Sequence, residues 1–145
     1  MLWKHPTLLL VDDDEVAVMA FERAIAQQKI SIPVLVARDG DEALEILGDP
    51  GRLKAPYVVI LDLNMPRMSG HELLEIIRSD PDLKGSVVFV LTTSDDPQDI
   101  ARAYDKNVAG YVVKEDAYRS IGTTVALLNA YIQTVALPDR NFVKT

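Results

Sequence analysis

The stretch VVILDLNMP, residues 58–66, decides the fold. It is an apolar run that stops at one carboxylate, Asp62, and then turns at Pro66. A continuous run of aliphatic and β-branched residues is typical of a strand that is buried on both faces of a parallel sheet. Because parallel sheets hold their ligands at the carboxyl ends of their strands, Asp62 is expected at a functional edge.

Three other apolar runs also end on polar side chains, namely Asp12–Asp13, Thr92–Thr93 and Lys114. Together with Asp62, these strand ends supply acids, hydroxyls and an amine. Carboxylate oxygens are the ligands that Mg²⁺ prefers, and an amine and a hydroxyl can bind anionic oxygens. The set is what a Mg²⁺-dependent acceptor of a phosphoryl group needs.

Strands alternate with helices five times along the chain. The predicted strands cover residues 7–11, 34–37, 57–61, 86–91 and 109–113. Predicted helix N-caps are Asp41 for the second helix, Ser69 for the third and Asp95 or Asp96 for the fourth. The last helix is predicted over residues 116–136. This pattern predicts an α/β fold, a doubly wound five-stranded parallel sheet in the order 2-1-3-4-5 with helices on both faces.

Length and composition limit the classes of function that are possible for this chain. A chain of 145 residues is expected to form one domain. The net charge of −7 argues against direct nucleic-acid binding, and the absence of cysteine excludes disulfides and thiol chemistry. No apolar run approaches the ~18 residues of a membrane span, and the N-terminus lacks a signal-peptide pattern, so a cytoplasmic protein is expected. The two histidines, His5 and His71, are interpreted as ordinary surface residues.

Four motifs occur in order at the strand ends: Val11-Asp12-Asp13, Leu61–Pro66 followed by Gly70, Leu91-Thr92 and Tyr111–Lys114. Together they resemble the receiver domain of two-component response regulators, a flavodoxin-like fold. The resemblance extends over about residues 7–135. It implies a receiver domain at residues 1–137 and a tail at residues 138–145 that contributes to a dimer contact.

The resemblance also implies the metal chemistry. Asp62 is the phosphoacceptor, which forms an aspartyl phosphate. Asp13 and Asp62 are expected to bind Mg²⁺ directly, Asn64 through its backbone carbonyl, and Asp12 through a water molecule. From the residues alone, the support is that three acids share one edge of the sheet.

Other residues are implied in binding and switching. Lys114 is expected to pair with one phosphoryl oxygen, and Thr92 to donate its hydroxyl to another. Thr92 and Tyr111 match the positions that move when a receiver is phosphorylated. Asn64 and Ser94 resemble the two variable positions that tune how fast receivers lose phosphate.

Each residue also has a simpler interpretation. Asp12 and Asp13 are compatible with a helix N-cap, Asp62 with a turn residue, Lys114 with a solvated lysine and Tyr111 with core packing. Their occurrence together, in the order of the receiver motifs, favours the functional interpretation over these alternatives.

The C-terminal part departs from the usual receiver pattern. Glu115 follows the lysine, where receivers commonly have a proline, so a cis peptide bond is not expected there. The last helix carries one apolar stripe through Ile121, Val125, Leu128, Ile132 and Val135. A second stripe is formed by Leu127, Ala130, Tyr131 and Leu137. It favours a homodimer surface together with the tail through Phe142, and the alternative is that this face only packs the tail. These features resemble stand-alone receivers that partner bacterial phytochrome histidine kinases.

The sequence therefore predicts a single-domain response regulator. It accepts a phosphoryl group from a sensor histidine kinase on Asp62 and signals through protein contact, without a DNA-binding or catalytic domain. A phosphate sink or phosphorelay carrier is an alternative within the same chemistry. A Mg²⁺-dependent phosphohydrolase with an aspartate nucleophile is disfavoured, because such enzymes usually carry a second aspartate where Asn64 stands. A pseudo-receiver is disfavoured because the acids and Lys114 are all present.

Overall fold

The computed structural model describes residues 6–114 and 120–139. Five strands alternate with five helices. The first three strands have the predicted bounds, the fourth starts and ends one residue later, and the fifth starts one residue later. The elements are β1 (Thr7–Val11), α1 (Glu15–Gln27), β2 (Val34–Ala37), α2 (Gly40–Leu47), β3 (Tyr57–Leu61), α3 (Gly70–Ser79), β4 (Val87–Thr92), α4 (Pro97–Asp105), β5 (Gly110–Val113) and α5 (Ser120–Thr134).

The five strands form one parallel sheet in the order β2-β1-β3-β4-β5, as predicted. The first strand, β1, lies between β2 and β3, so the order reverses beside it. In this register Val11 lies opposite Leu61, and Leu61 lies opposite Val90. Residues that follow these three positions therefore meet at one edge, where doubly wound sheets bind ligands.

Two apolar cores cover the two faces of the sheet, and successive strand residues alternate between them. On one face, Leu9, Val59 and Val88 pack with residues of α2, α3 and α4. On the other face, Leu8, Ile60 and Phe89 pack with residues of α1 and α5. Burial on both faces explains why the strand sequences are continuous apolar runs rather than alternating ones.

Acidic and hydroxyl side chains begin the first four helices. Asp14 caps α1, Ser69 caps α3 as predicted, and Asp96 caps α4 with Pro97 at the first position. The predicted cap of α2 was wrong: Asp39, not Asp41, accepts the backbone N–H of Glu42. Asp39 and Asp41 flank Gly40, and both match the N-cap composition, so the local pattern does not discriminate between them.

The outward face of α5 differs from expectation, whereas α4 places Ala103 in the core and leaves Tyr104 49% exposed. Tyr131 and Leu137 pack against the α1–α5 core instead of forming a second stripe, and Tyr131 makes an edge-to-face contact with Phe89. Val135, assigned to the inner stripe, lies beyond the end of α5 and is exposed.

Several expectations lie outside the described residues: the character of the Lys114–Glu115 bond, the start of the last helix near Asp116, the tail around Phe142, and His5. Within residues 6–114 and 120–139, none of the helices has the length and hydropathy that a bilayer span requires.

Candidate functional site

The strand register brings three carboxylates together. Asp12 and Asp62 each follow a residue of the aligned pair Val11 and Leu61, and the Asp62 N–H donates to the Val11 carbonyl over 3.0 Å. Carboxylate oxygens of Asp12, Asp13 and Asp62 all lie within 4.8 Å of one another. Asp12 and Asp62 are buried, at 2% and 7% exposure, whereas Asp13 is exposed to solvent. This acidic cluster has the oxygen donors that suit a divalent cation.

Helix capping does not account for the acid pair. The residue that caps α1 is Asp14, whose Oδ1 accepts the Val16 N–H over 2.9 Å. Asp12 instead accepts the Asp14 N–H with Oδ1, over 2.9 Å, which fixes the turn between β1 and α1. The simpler interpretation of Asp12 and Asp13 as the N-cap was therefore wrong.

Asp62 lies in an environment that disfavours its charge. Burial raises the pKa of Asp62 above its ordinary value of 3.8, and the charge of Asp12 acts in the same direction. The Lys114 ammonium, the Thr92 hydroxyl and the Asn64 N–H lower the pKa but do not offset the burial. A desolvated carboxylate near neutralising groups is a candidate nucleophile or metal ligand.

Lys114 reaches the acids from the end of β5. Its Nζ lies 2.7 Å from Asp12 Oδ2, and both side chains are nearly buried, at 10% and 3% exposure. The ammonium therefore neutralises one of the two buried carboxylates. The interpretation of Lys114 as a solvated strand-end residue was wrong.

Thr92 closes the site from the end of β4. Its Oγ1 is fully buried and has no hydrogen-bond partner of standard geometry among the described residues. The hydroxyl nevertheless lies close enough to Asp62 to favour the ionised carboxylate. A buried hydroxyl without a hydrogen-bond partner costs free energy. The Thr92 hydroxyl is therefore suited to donate to an acceptor that enters the site.

Asn64 and Tyr111 lie at the margin of the site. Asn64 is exposed, and its N–H points to Asp62 Oδ1 over 3.4 Å, at the long end of hydrogen bonding. The Tyr111 hydroxyl donates to the Ser94 carbonyl over 2.9 Å. Burial raises the pKa of Tyr111 above its ordinary value, so the phenol remains a donor at neutral pH. Tyr111 is thus held against the loop that follows Thr92.

A close approach of backbone supports the loop after Asp62. The Gly70 N–H donates to the Leu63 carbonyl over 2.9 Å. A Cβ at Gly70 would collide with the Asp62 carbonyl oxygen and would lie 2.7 Å from Leu63 Cα. Only glycine fits there without displacement of α3.

His71 was missed by the sequence analysis. It is buried, and its Nε2 lies 3.0 Å from Asp99 Oδ1 on α4. Its interpretation as a surface residue was wrong. The only signal was its position beside Gly70 at the start of an amphipathic helix, and that signal does not specify a partner.

Comparison with known proteins identifies the family. A model of the response regulator receiver domain matches residues 8–126. The chain belongs to this family. Receiver domains of response regulators are signalling domains that accept a phosphoryl group in two-component systems.

The relatives of this receiver domain include phytochrome response regulators. The response regulator Rcp1 of Synechocystis sp. is 30% identical over 135 residues, covering 90% of this chain and 92% of the relative. Its Mn²⁺-bound structure matches with a TM-score of 0.79 over 91% of this chain and 98% of the other. The phosphorylated cyanobacterial phytochrome response regulator RcpA matches with a TM-score of 0.82 and 31% identity, covering 94% of this chain and 100% of the other.

A further relative belongs to a different regulatory system. The probable methanogenesis regulatory protein FilR2 of Methanothrix harundinacea is 33% identical over 126 residues, covering 86% of this chain and 81% of the relative. Receiver domains thus occur in regulators of unlike stimuli, and the family alone does not specify the signal.

Proposed function

We propose that Asp62 is the phosphoacceptor of this receiver domain and that the donor is a phosphohistidine on a sensor kinase. The observation that carries the proposal is the arrangement around Asp62. A buried carboxylate with a raised pKa lies among two acids, a lysine ammonium and a buried hydroxyl without a partner. Each neighbour has a role in binding or neutralising a phosphoryl group.

Asp12, Asp13 and Asp62 would hold Mg²⁺, with Asn64 contributing its backbone carbonyl. The donor set fits the ion, since hard carboxylate oxygens from three residues lie within reach of one another. When bound, Mg²⁺ supplies positive charge that offsets repulsion between the anionic donor and acceptor.

Asp62 performs the transfer as a nucleophile. One of its carboxylate oxygens forms an O–P bond while the P–N bond of the donor phosphohistidine breaks, and the electron pair of that bond returns to the imidazole nitrogen. Lys114 exchanges its contact with Asp12 for a phosphoryl oxygen. Thr92 donates its hydroxyl to another phosphoryl oxygen. Both contacts exist only in the phosphorylated form, so they bias the protein towards the arrangement that makes them.

Intact mass after incubation with Mg²⁺ and acetyl phosphate tests the assignment. The wild type is expected to gain a single phosphoryl adduct that depends on Mg²⁺, and Asp62→Asn is expected to gain none. Asp105→Asn, at an exposed acid at the end of α4, is the control and should behave like the wild type. An adduct of equal yield in Asp62→Asn would contradict the assignment.

The same measurement separates the alternative functions. A long-lived adduct supports a switch, whereas rapid loss of phosphate supports a sink or relay carrier. Many turnovers of phosphate release without an adduct would support a phosphohydrolase instead. We favour signalling without enzymatic turnover of a separate substrate, because Asn64 is amidic where such hydrolases carry a second acid.

For partners, we infer a sensor histidine kinase of the bacterial phytochrome type, supported by the likeness to Rcp1 and RcpA. We infer that the protein acts in the cytoplasm, because the ATP that charges such a kinase is found there. We also infer the domain limits 1–137, with a tail at 138–145, and output through contact with other proteins.

A homodimer through α5 and the tail is part of the proposal. Support comes from two apolar side chains at the solvent surface, Leu127 and Val135, which are 51% and 40% exposed. Leu127→Glu should lower the mass measured by light scattering from dimer to monomer, with Gln133→Glu on the same helix as the control. An unchanged mass would contradict a dimer interface at Leu127.

A further inference from the structure

A chain of hydrogen bonds joins α3, α4, the loop after β4 and β5 beside the phosphoacceptor centre. His71 Nε2 on α3 lies 3.0 Å from Asp99 Oδ1 on α4. The other carboxylate oxygen of Asp99 accepts the Ser94 hydroxyl over 2.5 Å. The Ser94 carbonyl accepts the Tyr111 hydroxyl, from β5, over 2.9 Å. These four side chains, His71, Asp99, Ser94 and Tyr111, are called the relay below.

Both ends of the relay are tied to the site. His71 directly follows Gly70, whose backbone packs against the Asp62 carbonyl and Leu63 Cα. Nearer the other end, before Tyr111, Ser94 lies two residues after Thr92 and also accepts the Asp96 N–H with Oγ over 3.3 Å. The relay thus connects the loop after Asp62 with the loop after Thr92, residues 93–96.

The charge state of Asp99 suits this role. The Ser94 hydroxyl, and then the His71 imidazole, hold the pKa of the Asp99 carboxyl below its ordinary value of 3.8. Asp99 is therefore ionised at neutral pH and accepts both bonds. Hydrogen bonds to an ionised acceptor are about twice as strong as neutral ones.

Packing alone does not explain His71. The residue is buried, and its Nδ1 has no hydrogen-bond partner among the described residues. An apolar residue of similar volume would avoid this desolvation cost. The imidazole is one of the few buried polar side chains in the described part of the chain. Its hydrogen bond to Asp99 is the interaction that an apolar residue could not make.

We propose that His71 is a positioning residue for phosphoryl acceptance. Through Asp99 and Ser94, it holds loop 93–96 so that the Thr92 hydroxyl faces Asp62. The same loop position keeps the hydrogen bond between the Tyr111 hydroxyl and the Ser94 carbonyl. This inference rests on the proposed function of Asp62. If the role of His71 were only structural, its bond would hold α3 against α4 and contribute to the stability of the fold. Loop 93–96 and the rate of the reaction would then show no specific effect of its loss.

Three substitutions at neighbouring positions separate these roles. His71→Leu fills the buried site but removes the donor to Asp99. His71→Gln keeps an N–H donor that can take the place of Nε2. Glu72→Gln is the matched control, because Glu72 is the next residue of α3 and its side chain is exposed.

Amide hydrogen exchange is the first readout. His71→Leu should raise exchange in residues 93–96 about threefold to tenfold, the factor that corresponds to one lost hydrogen bond. His71→Gln should remain near the wild type, and Glu72→Gln should match it. Unchanged exchange in His71→Leu, or equal exchange in the leucine and glutamine variants, overturns the proposal.

The rate of adduct formation with acetyl phosphate and Mg²⁺ is the second readout. His71→Leu should lower this rate about threefold to tenfold, and His71→Gln should restore most of it. Ser94→Ala should lower the rate as well. Because both residues act through Asp99, the double variant should lose less than the product of the two single effects. A multiplicative loss, or a rate that is unchanged or raised in His71→Leu, overturns the proposal.

The wild type distinguishes failure of this inference from failure of the proposed function. If the wild type forms an adduct but His71→Leu reacts normally, the inference fails and Asp62 remains the acceptor. If the wild type forms no adduct, the proposed function fails. The placement of loop 93–96 by His71 is then decided by hydrogen exchange alone.

Discussion

At the scale of single residues, Asp62 carries an electrostatic cost. Burial raises its pKa, so the folded chain binds a proton at Asp62 more tightly than the unfolded chain does. A raised pKa contributes stability that is fully present below the unfolded value of about 3.8 and is lost as the pH rises through the folded pKa. At neutral pH the ionised side chain therefore destabilises the fold, as expected where a group is retained for its chemistry.

Asp62→Asn should accordingly raise the midpoint of thermal unfolding by a few degrees at neutral pH without divalent cations. The difference from the wild type should shrink as the pH falls below about 4, where the wild-type carboxyl is protonated in both states. Calorimetry at several pH values in EDTA checks this, with Asp95→Asn as the exposed control. A variant that is less stable than the wild type at neutral pH would mean that Lys114 outweighs burial.

Divalent cations should reverse this order. Mg²⁺ is expected to bind the carboxylates in the folded state, where they lie together, and not in the unfolded state, where they are far apart. It should therefore stabilise the wild type by about 1.4 kcal/mol at ten times its Kd. Asp62→Asn and Asp13→Asn should gain less, because each removes one of the three carboxylates that lie together. Denaturant unfolding with and without Mg²⁺ measures the gain. Equal gains in all three proteins would place the ion elsewhere.

At the scale of elements, α3 is positioned by the strand that precedes it. Its first residue, Gly70, touches the backbone of Asp62 and Leu63, so the helix is fixed relative to Asp62. Helix α3 then presents His71 to α4. From these contacts we expect a displacement at its N-terminus to move both Asp62 and the loop after Thr92.

Gly70→Ala should destabilise the protein by about 1–3 kcal/mol and slow adduct formation, since the added methyl must displace α3 or the Asp62 loop. Gly85→Ala is the matched control, because a Cβ at Gly85 meets no atom within 4 Å. Urea unfolding and the acetyl phosphate rate provide the two measurements. Similar behaviour of the two alanine variants would refute the close-packing argument.

At the scale of the whole molecule, Arg78 links two loops at the edge of the sheet opposite the site. Its guanidinium donates to four backbone carbonyls, with donor–acceptor distances from 2.6 to 3.1 Å. They belong to two loops, at Lys84 and Ser86 before β4 and at Lys106 and Asn107 before β5. Burial lowers the pKa of Arg78 below its ordinary value, but the group stays charged at physiological pH.

Arg78→Ala should lower the free energy of unfolding by about 2–4 kcal/mol, because two loops lose a shared donor and partly buried carbonyls lose their partners. The rate of adduct formation should change little while the protein is folded, since Arg78 lies at the far end of the strands. Arg52→Ala, an exposed arginine, is the control. A loss below 0.5 kcal/mol, within the usual range for surface substitutions, would contradict this role.

Sequence patterns predicted the sheet and the edge where the site lies, since both depend on features local to each strand. An apolar run followed by a polar residue marks a strand end, and strand order follows from repeated β–α alternation. Contacts between distant helices are not encoded in this way. His71 finds Asp99 only after α3 and α4 have packed, and Tyr131 turns inward because Phe89 offers a ring edge. Similarly, Asp39 and Asp41 are equivalent N-cap candidates in the sequence. Only the path of the folded chain into α2 decides between them.

The buried pair of Lys114 and Asp12 has a consequence for how the centre responds to two ligands. One ammonium cannot serve Asp12 and a phosphoryl oxygen equally, so an arriving anion releases a carboxylate that attracts a cation. Anion and cation then reinforce each other, and reciprocity requires the same factor in both directions. If Asp62 accepts a phosphoryl group as proposed, we expect the centre to respond weakly to either ion alone and strongly to both together.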